Sequence, residues 1–252
     1  QTITRAALED KYWIAAGRAH ANYAFYMGTT NDNLSELEAL KKGEACAIKI
    51  FMGASTGNML VDNPDTLDKI FQRAPVMIVT HCEDTPMIKV AEDAAREKYG
   101  EDVPFSEHPY IRSAAACHKS TELAVGLSNK HGTRLHVLHM TSASELHFFA
   151  KGDVKTKRIS VEACVHHLYF DESWYATLGS KLKCNPAVKS ATDREALIAA
   201  VRDGVIDIIA TDHAPHTDYE KDKEFDFAPN GILGMETSLP ITLEILVRQN
   251  KF

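Results

Sequence analysis

The segment Val205–His216, with the sequence VIDIIATDHAPH, joins a short apolar run to a dense group of polar side chains. The run predicts a β-strand ending at Thr211, because it is rich in branched residues and too short for a typical helix. Asp212 follows directly, and His213 and His216 lie in the same turn. A carboxylate at a strand end can bind a metal ion or accept a proton. The turn is therefore a candidate site for metal binding or catalysis.

Five further apolar segments resemble this strand, and helical patterns lie between them. The other predicted strands are Asn22–Met27, Ala45–Met52, Val76–Thr80, Arg134–His139 and Arg158–Cys164. The predicted helices are Leu34–Lys42, Pro64–Arg73, Thr85–Tyr99, Tyr110–Lys130, Ala143–Phe149, Thr192–Arg202 and Pro240–Val247. Nearly continuous apolar strands alternating with helices are typical of an α/β fold with a parallel sheet covered on both faces.

Reactive side chains recur at equivalent positions along these strands. Lys49 lies late in the second strand, and His81 and His139 lie at or just beyond the ends of the third and fourth. Asp212 follows the sixth. The C-terminal ends of many strands converge on one point in a closed barrel, whereas an open sheet spreads them along a line. We therefore expect a TIM-type (β/α)8 barrel, with residues 1–252 forming a single catalytic domain.

The composition restricts the partners. The net charge is −7, and the longest run of basic residues is Lys41-Lys42, so no surface for nucleic acid or anionic lipid is indicated. No apolar stretch approaches the length that spans a bilayer, and the N-terminus lacks a signal-peptide pattern. The five cysteines are scattered and include no C-x-x-C pair, which argues against disulfides. We expect a soluble cytoplasmic protein that acts on a small molecule.

Lys49 lies inside an apolar strand, in the sequence AIKIFMG. A buried ammonium is costly, so the position needs an explanation. Three are open: a salt bridge, a Schiff base, or a carbamate formed with carbon dioxide, which is a carboxylate-like ligand able to bridge two cations. Taken alone, the lysine favours the salt bridge. The accompanying His81, His139 and Asp212 favour the carbamate.

Other residues have both a structural and a functional interpretation. Asn185 precedes Pro186, where asparagine commonly forms a turn, but it could also contact a ligand. Gly231 and Gly234 could allow the backbone to approach a ligand, although turn geometry alone would explain them. Glu162 and the pair His166-His167 also crowd a strand end.

Taken in order, these segments resemble the cyclic amidohydrolases, dihydroorotase above all. The segments that carry the resemblance are Ile48–Met52, Thr80–Glu83, His136–His139, Glu162–His167, Lys183–Pro186, Thr211–His216 and Gly231–Thr237. The resemblance extends from about Tyr23 to Pro240, which is nearly the whole chain. Each segment is a weak signal alone, and their order makes the resemblance specific.

The resemblance implies a zinc-dependent mechanism. Two zinc ions would be bridged by N-carboxylated Lys49, and His81 and His139 would hold one of them. Asp212 would bind metal and act as general base and then general acid. The implied reaction is the reversible hydrolysis of dihydroorotate to N-carbamoyl-aspartate, a step of pyrimidine biosynthesis.

The resemblance also implies the substrate contacts, which are Asn185, His216 and the backbone of Leu233 and Gly234. His216 favours dihydroorotate as the substrate. Hydantoinases and dihydropyrimidinases generally lack this second histidine in the turn, because their substrates have no ring carboxylate to bind.

The chain departs from the family pattern in two motifs. No two histidines lie two residues apart, so the family's His-x-His pair is absent, and so is an Asn-containing turn that follows the second barrel strand. Because six strands rather than eight are predicted and the chain begins at Gln1, we expect the sequence to start after the first two barrel strands. We expect this fragment to be inactive alone.

Three alternative functions remain open, and so does the oligomeric state. The chain could be a hydantoinase-like hydrolase or a non-catalytic dihydroorotase-like partner subunit. It could also be an open-sheet α/β module that binds an anion through His213 and His216. A homo-oligomer is compatible with each of these interpretations.

Overall fold

Six parallel strands form one sheet in the computed structural model, which describes residues 1–53 and 59–249. The strands are β1 (Tyr26–Gly28), β2 (Ala47–Phe51), β3 (Ile78–His81), β4 (Leu135–Val137), β5 (Ile159–Cys164) and β6 (Ile208–Ala210). Each strand pairs in parallel with the next one along the chain. All six predicted strands are therefore present, although the hydrogen-bonded parts are shorter than the apolar segments.

Helices connect the strands. The α-helices are α1 (Arg5–Ala15), α2 (Leu34–Glu38), α3 (Pro64–Arg73), α4 (Thr85–Tyr99), α5 (His108–Ile111), α6 (Ala114–His131), α7 (Val165–Tyr169), α8 (Tyr175–Leu178), α9 (Ala191–Arg202), α10 (Asp218–Lys221) and α11 (Ser238–Thr242). Short 3-10 helices cover Phe105–Glu107, Ala143–Phe148, Glu172–Trp174 and Gly179–Leu182, and a π-helix covers Leu243–Arg248. None of the described helices is both long and apolar enough to cross a membrane.

The main apolar core lies between the sheet and the helices on its outer face. Ile48 and Ile50 of β2 are fully buried in this core, together with Phe71 of α3 and Leu197 of α9. Successive strand residues point to opposite faces, so Lys49 points away from the helices. The alternation in β2 therefore places its lysine on the inner face of the sheet.

A smaller apolar cluster occupies that inner face. Ala47 of β2 and Val79 of β3 pack there with Leu138, which directly follows β4. The side-chain period of two places Lys49 and His81 on the same face, each one step further toward the C-terminal edge. Buried apolar residues thus form a layer beneath the polar residues at that edge.

Capping residues fix where several helices begin. The Asn63 side chain accepts hydrogen bonds from the backbone N–H groups of Asp65 and Thr66, as the sequence before Pro64 predicts. The predicted start of α9 at Thr192 is one residue late, because Ser190 is the N-cap and forms a capping box with Asp193.

Two other predictions differ from the structure, and one helix was not predicted. The single helix predicted over Tyr110–Lys130 is divided into α5 and α6, because Ser113 is extended and caps a new helix. The segment predicted as the helix Ala143–Phe149 is a 3-10 helix. The helix α1, which is capped by the Thr4 side chain, is not among the predicted helices.

Candidate metal and catalytic site

Two predicted ligands, His81 and His139, meet at the C-terminal edge of the sheet. His81 is the last residue of β3, and His139 lies just after β4. The Nδ1 atom of His81 is 3.1 Å from the Nε2 atom of His139, and both side chains are buried. Burial lowers the pKa of each imidazole, His139 most strongly, so both rings are neutral near pH 7. Neutral imidazole is the form that binds a metal ion.

The separation of these nitrogens suits a shared metal ion. Zinc binds imidazole nitrogen at about 2.0–2.1 Å, so two nitrogens on a tetrahedral ion lie roughly 3.3 Å apart. The observed 3.1 Å between the two nitrogens needs only a small outward movement of the rings. The histidine pair therefore fits one zinc ion.

Glu83 fixes the orientation of His81. The Nε2 atom of His81 lies 2.7 Å from a Glu83 carboxylate oxygen, and Arg112 donates to the same oxygen at 2.8 Å. Burial alone would raise the pKa of Glu83, but the Arg112 guanidinium and the His81 hydrogen bond outweigh it and hold the pKa at about 2. An ionised Glu83 accepts the Nε2–H proton, which leaves the Nδ1 lone pair of His81 facing His139.

Lys49 lies on the same face without a close carboxylate partner. None of the salt bridges among the described residues includes Lys49, and its Nζ lies 4.6 Å from the centre of the Phe51 ring. Burial lowers the pKa of this lysine to about 8, while Asp212 and Glu162 act in the opposite direction from a distance. The salt-bridge explanation, which the lysine alone favoured, therefore has no support in the structure. A lysine with a pKa of about 8 loses its proton more readily than an ordinary lysine, and this fits the other two explanations.

Asp212 and His139 have an unusual backbone conformation in common. Among the described residues other than glycine, they alone have positive φ, +44° for Asp212 and +37° for His139. Such conformations are strained in L-residues and are concentrated at functional sites. Protein atoms crowd the Asp212 carboxyl although the residue remains solvent-accessible, and this partial desolvation raises its pKa, whereas Lys49 and His81 lower it. The backbone thus holds two predicted ligands in enforced positions.

The turn that follows Asp212 packs against the glycine-containing loop. The backbone N–H of Gly234 donates to Nδ1 of His213 at 3.1 Å, and Nε2 of His216 lies 3.2 Å from the Asn230 carbonyl oxygen. Gly231 has φ +147°, and a Cβ atom there would lie 2.5 Å from the Ala214 carbonyl oxygen. Close packing against the turn therefore explains why a glycine is needed here, and no ligand has to be assumed.

The other two predicted substrate contacts are Leu233 and Asn185. Leu233 is 61% exposed and lies in the glycine-containing loop. The Oδ1 atom of Asn185 is buried and has no hydrogen-bond partner among the described residues. A buried amide oxygen without a partner is uncommon and is consistent with a site that a ligand or water completes.

Comparisons with known proteins define the family. No protein-family model matches the chain. A dihydroorotase from Bacillus licheniformis is 31% identical over 229 residues, which cover 88% of this chain and 50% of the relative. A dihydroorotase from Methanosarcina mazei is 27% identical over 258 residues, which cover 99% and 55%. The chain belongs to the amidohydrolase superfamily that includes these dihydroorotases. It spans about half the length of the curated relatives that it matches.

Solved structures show the same fold. The L-hydantoinase (dihydropyrimidinase) from Arthrobacter aurescens matches this chain with a TM-score of 0.91 and 26% identity, covering 100% of this chain and 57% of that one. The dihydroorotase from Saccharomyces cerevisiae, in complex with 5-fluoroorotic acid, has a TM-score of 0.71 and 18% identity, covering 98% and 68%. These neighbours are TIM barrels, and the six parallel strands of this chain follow the same arrangement.

Glu162 is a residue of this site to which the sequence assigned no role. Its carboxylate lies 3.1 Å from Nε2 of His136 and accepts a hydrogen bond from the backbone N–H of His139 at 3.3 Å. It also acts electrostatically on Lys49 and Asp212. The sequence signal was only that Glu162 crowds a strand end. Its contacts depend on the neighbouring strand, which sequence spacing does not reveal.

Proposed function

We propose that the protein containing this chain is a zinc-dependent dihydroorotase. It hydrolyses the ring amide of dihydroorotate to N-carbamoyl-aspartate and catalyses ring closure in reverse, as a step of pyrimidine biosynthesis. The observation that carries the proposal is the contact between Nδ1 of His81 and Nε2 of His139, at a spacing suited to zinc. The dihydroorotases that match most of the chain support the choice of reaction.

Four residues of this chain would hold the metal. Lys49, converted to its N-carboxylate, would bridge two zinc ions, His81 and His139 would bind one of them, and Asp212 would add a carboxylate oxygen. The lowered pKa of Lys49 supports the modification, because only the neutral amine reacts with carbon dioxide. When bound, zinc lowers the pKa of a coordinated water and polarises an amide carbonyl.

Asp212 is the proposed proton carrier. Its carboxylate takes a proton from the attacking water and returns it to the ring nitrogen as the C–N bond breaks, so the residue is regenerated in each cycle. Its raised pKa supports this role, because a more basic carboxylate is a better acceptor. Asp212 has a positive φ of +44°, and the Lys49 side chain acts electrostatically on its carboxylate.

His216, Asn185 and the backbone of Leu233 and Gly234 are the proposed substrate contacts. The loop that carries Leu233 and Gly234 is attached to the turn of His216 by the hydrogen bond between Gly234 and His213. A substrate carboxylate bound by His216 would therefore lie within reach of this loop backbone. Asn185 has a free amide oxygen with which to accept a substrate N–H.

The experiment compares kcat/KM for dihydroorotate and for hydantoin, which has no ring carboxylate. We expect the protein to prefer dihydroorotate. His216→Ala should lower kcat/KM for dihydroorotate by about tenfold or more, the value of a charge-assisted hydrogen bond, and should change hydantoin hydrolysis little. His147→Ala, an exposed histidine in a 3-10 helix, is the control.

The alternative function has a distinct outcome in the same assay. A hydantoinase activity is favoured by the TM-score of 0.91 with the L-hydantoinase. Preference for hydantoin over dihydroorotate would establish this alternative and contradict the proposed substrate. Absence of both activities in the zinc-loaded protein would favour a non-catalytic partner subunit.

The wider setting of the enzyme is also part of the proposal. We place residues 1–252 in one catalytic barrel domain of a cytoplasmic enzyme, and a homo-oligomer is compatible with this proposal. All five cysteines are free, which agrees with a reducing compartment. Size-exclusion chromatography with light scattering tests the oligomeric state.

A further inference from the structure

A second group of metal-ligand atoms lies at the C-terminal end of β5. Cys164 is the last residue of this strand, and His166 and His167 lie in the first turn of α7. One ligand atom from each of the three lies within 4.8 Å of the others. All three side chains are buried, with no more than 3% of each residue exposed. None of the three has a part in the proposed dihydroorotase reaction.

The hydrogen bond of His167 leaves one of its ring nitrogens available. Its Nε2 atom lies 3.1 Å from the carbonyl oxygen of Pro186. Because a carbonyl can only accept, Nε2 carries the proton and Nδ1 has a free lone pair. That Nδ1 atom is buried and has no partner among the described residues. Histidines that bind metals commonly donate their other N–H to a backbone carbonyl in this way.

His166 provides the second observation. Both of its ring nitrogens are buried, and neither has a hydrogen-bond partner in the described part of the chain. A buried polar side chain that lacks all of its partners is rare in folded proteins and requires an ion, a water molecule or a function. The His166 ring lies next to the His167 ring, with the ring centres 4.1 Å apart.

The charges around Cys164 favour a cation. Burial raises the pKa of the Cys164 thiol, and the carboxylates of Asp212 and Glu162 raise it further, whereas the Lys49 ammonium opposes them. Two carboxylates and one ammonium act on this sulfur, so its surroundings carry a net negative charge. A divalent cation at the sulfur would be stabilised by the same carboxylates.

We propose that Cys164, His166 and His167 form a further metal site, for a thiophilic divalent cation of the zinc and cadmium class. One thiolate and two imidazoles are ligands that such ions prefer, and a water molecule would complete a tetrahedron. On binding, the thiol proton leaves to solvent as the sulfur–metal bond forms. The ion would join the end of β5 to the start of α7. The proposal does not depend on the dihydroorotase reaction.

Cobalt(II) is the probe that separates this site from the catalytic one. A cobalt–thiolate bond gives charge-transfer absorption in the near ultraviolet, whereas Lys49, His81, His139 and Asp212 offer only nitrogen and oxygen. We expect titration of the metal-free protein containing this chain to produce this band. Cys164→Ser should abolish the band, and His166→Gln should weaken cobalt binding at this site by at least about tenfold.

Two other buried cysteines provide matched controls. The Cys184 sulfur lies 3.9 Å from Nε2 of His167, on the side of the ring that faces the Pro186 carbonyl. Cys117 is buried and lies next to Thr141 instead. Cys184→Ser and Cys117→Ser should both retain the band.

The proposal is overturned if cobalt binds to the protein without a charge-transfer band, or if the band persists in Cys164→Ser. Where Cys164→Ser does not fold, loss of the band in His166→Gln supports the site and its full retention contradicts it. Lys49→Ala should remove catalytic metal and keep the band. Failure of the proposed function is therefore distinguishable from failure of this site.

Discussion

The imidazoles of His81 and His139 face each other at 3.1 Å although 58 residues separate them in the sequence. They meet because β3 and β4 are adjacent parallel strands, which bring the residues at their C-terminal ends to the same edge. His139 also has a positive φ of +37°, which is uncommon for a residue other than glycine. The arrangement therefore depends on the residues that hold these two rings and the neighbouring turn in place.

Glu83→Gln should weaken zinc binding by about 10–100-fold, the usual effect of removing a carboxylate that orients a ligating histidine. The substituted glutamine would keep a similar shape but lose the charge that fixes the His81 tautomer. Competition with a chelator measures the affinity. Glu145→Gln is the control, because Glu145 is also buried but accepts only from the hydroxyls of Thr121 and Ser142. An equal loss of affinity in both variants would contradict the orienting role.

The same carboxyl group should control stability in acid. The pKa of Glu83 is about 2 in the folded protein, against an ordinary value of 4.5. A lowered carboxyl pKa contributes stability that is present above pH 4.5 and is lost as the pH falls toward 2. This contribution is on the order of 3 kcal/mol. The free energy of unfolding, measured with urea on metal-depleted protein, should fall more steeply toward acid pH in wild type than in Glu83→Gln. Parallel falls in the two proteins would contradict the lowered pKa of Glu83.

Gly231→Ala should displace the turn that carries His216. The new Cβ atom would lie 2.5 Å from the Ala214 carbonyl oxygen, and φ of +147° is unfavourable for alanine. We expect a loss of about 1–3 kcal/mol in the free energy of unfolding and a raised KM. Gly126→Ala, where a Cβ atom would meet open space within α6, should instead stabilise by about 0.5–1 kcal/mol. Equal stability of the two variants would show that the loop is not packed as described.

The strands were predictable because each is a buried, continuous apolar run bounded by polar residues. The boundaries of the helices were harder to predict. Ser113 interrupts a long helical pattern by capping a new helix, and this depends on a backbone conformation rather than on composition. The helix α1 contains Leu8 as its only residue buried in the core, so its sequence has little apolar periodicity to detect.

The candidate ligands were predictable because a lysine, two histidines and an aspartate at successive strand ends form a pattern along the chain. Their supporting residues were not. Arg112 reaches Glu83 from the connection between α5 and α6, 29 residues away. Glu162 reaches His136 and His139 across two paired strands. Contacts of this kind follow from the packing of the fold, and no local spacing encodes them.

Zinc content and dihydroorotate hydrolysis in Lys49→Ala test the central claim most directly. Both are compared with wild type in the protein that contains this chain. We predict that the variant contains two fewer zinc ions per chain and has lost its activity. Short-chain carboxylates, which can replace the bridging carbamate, should restore part of both. A Lys49→Ala protein with the full wild-type zinc content and undiminished hydrolysis would contradict the account.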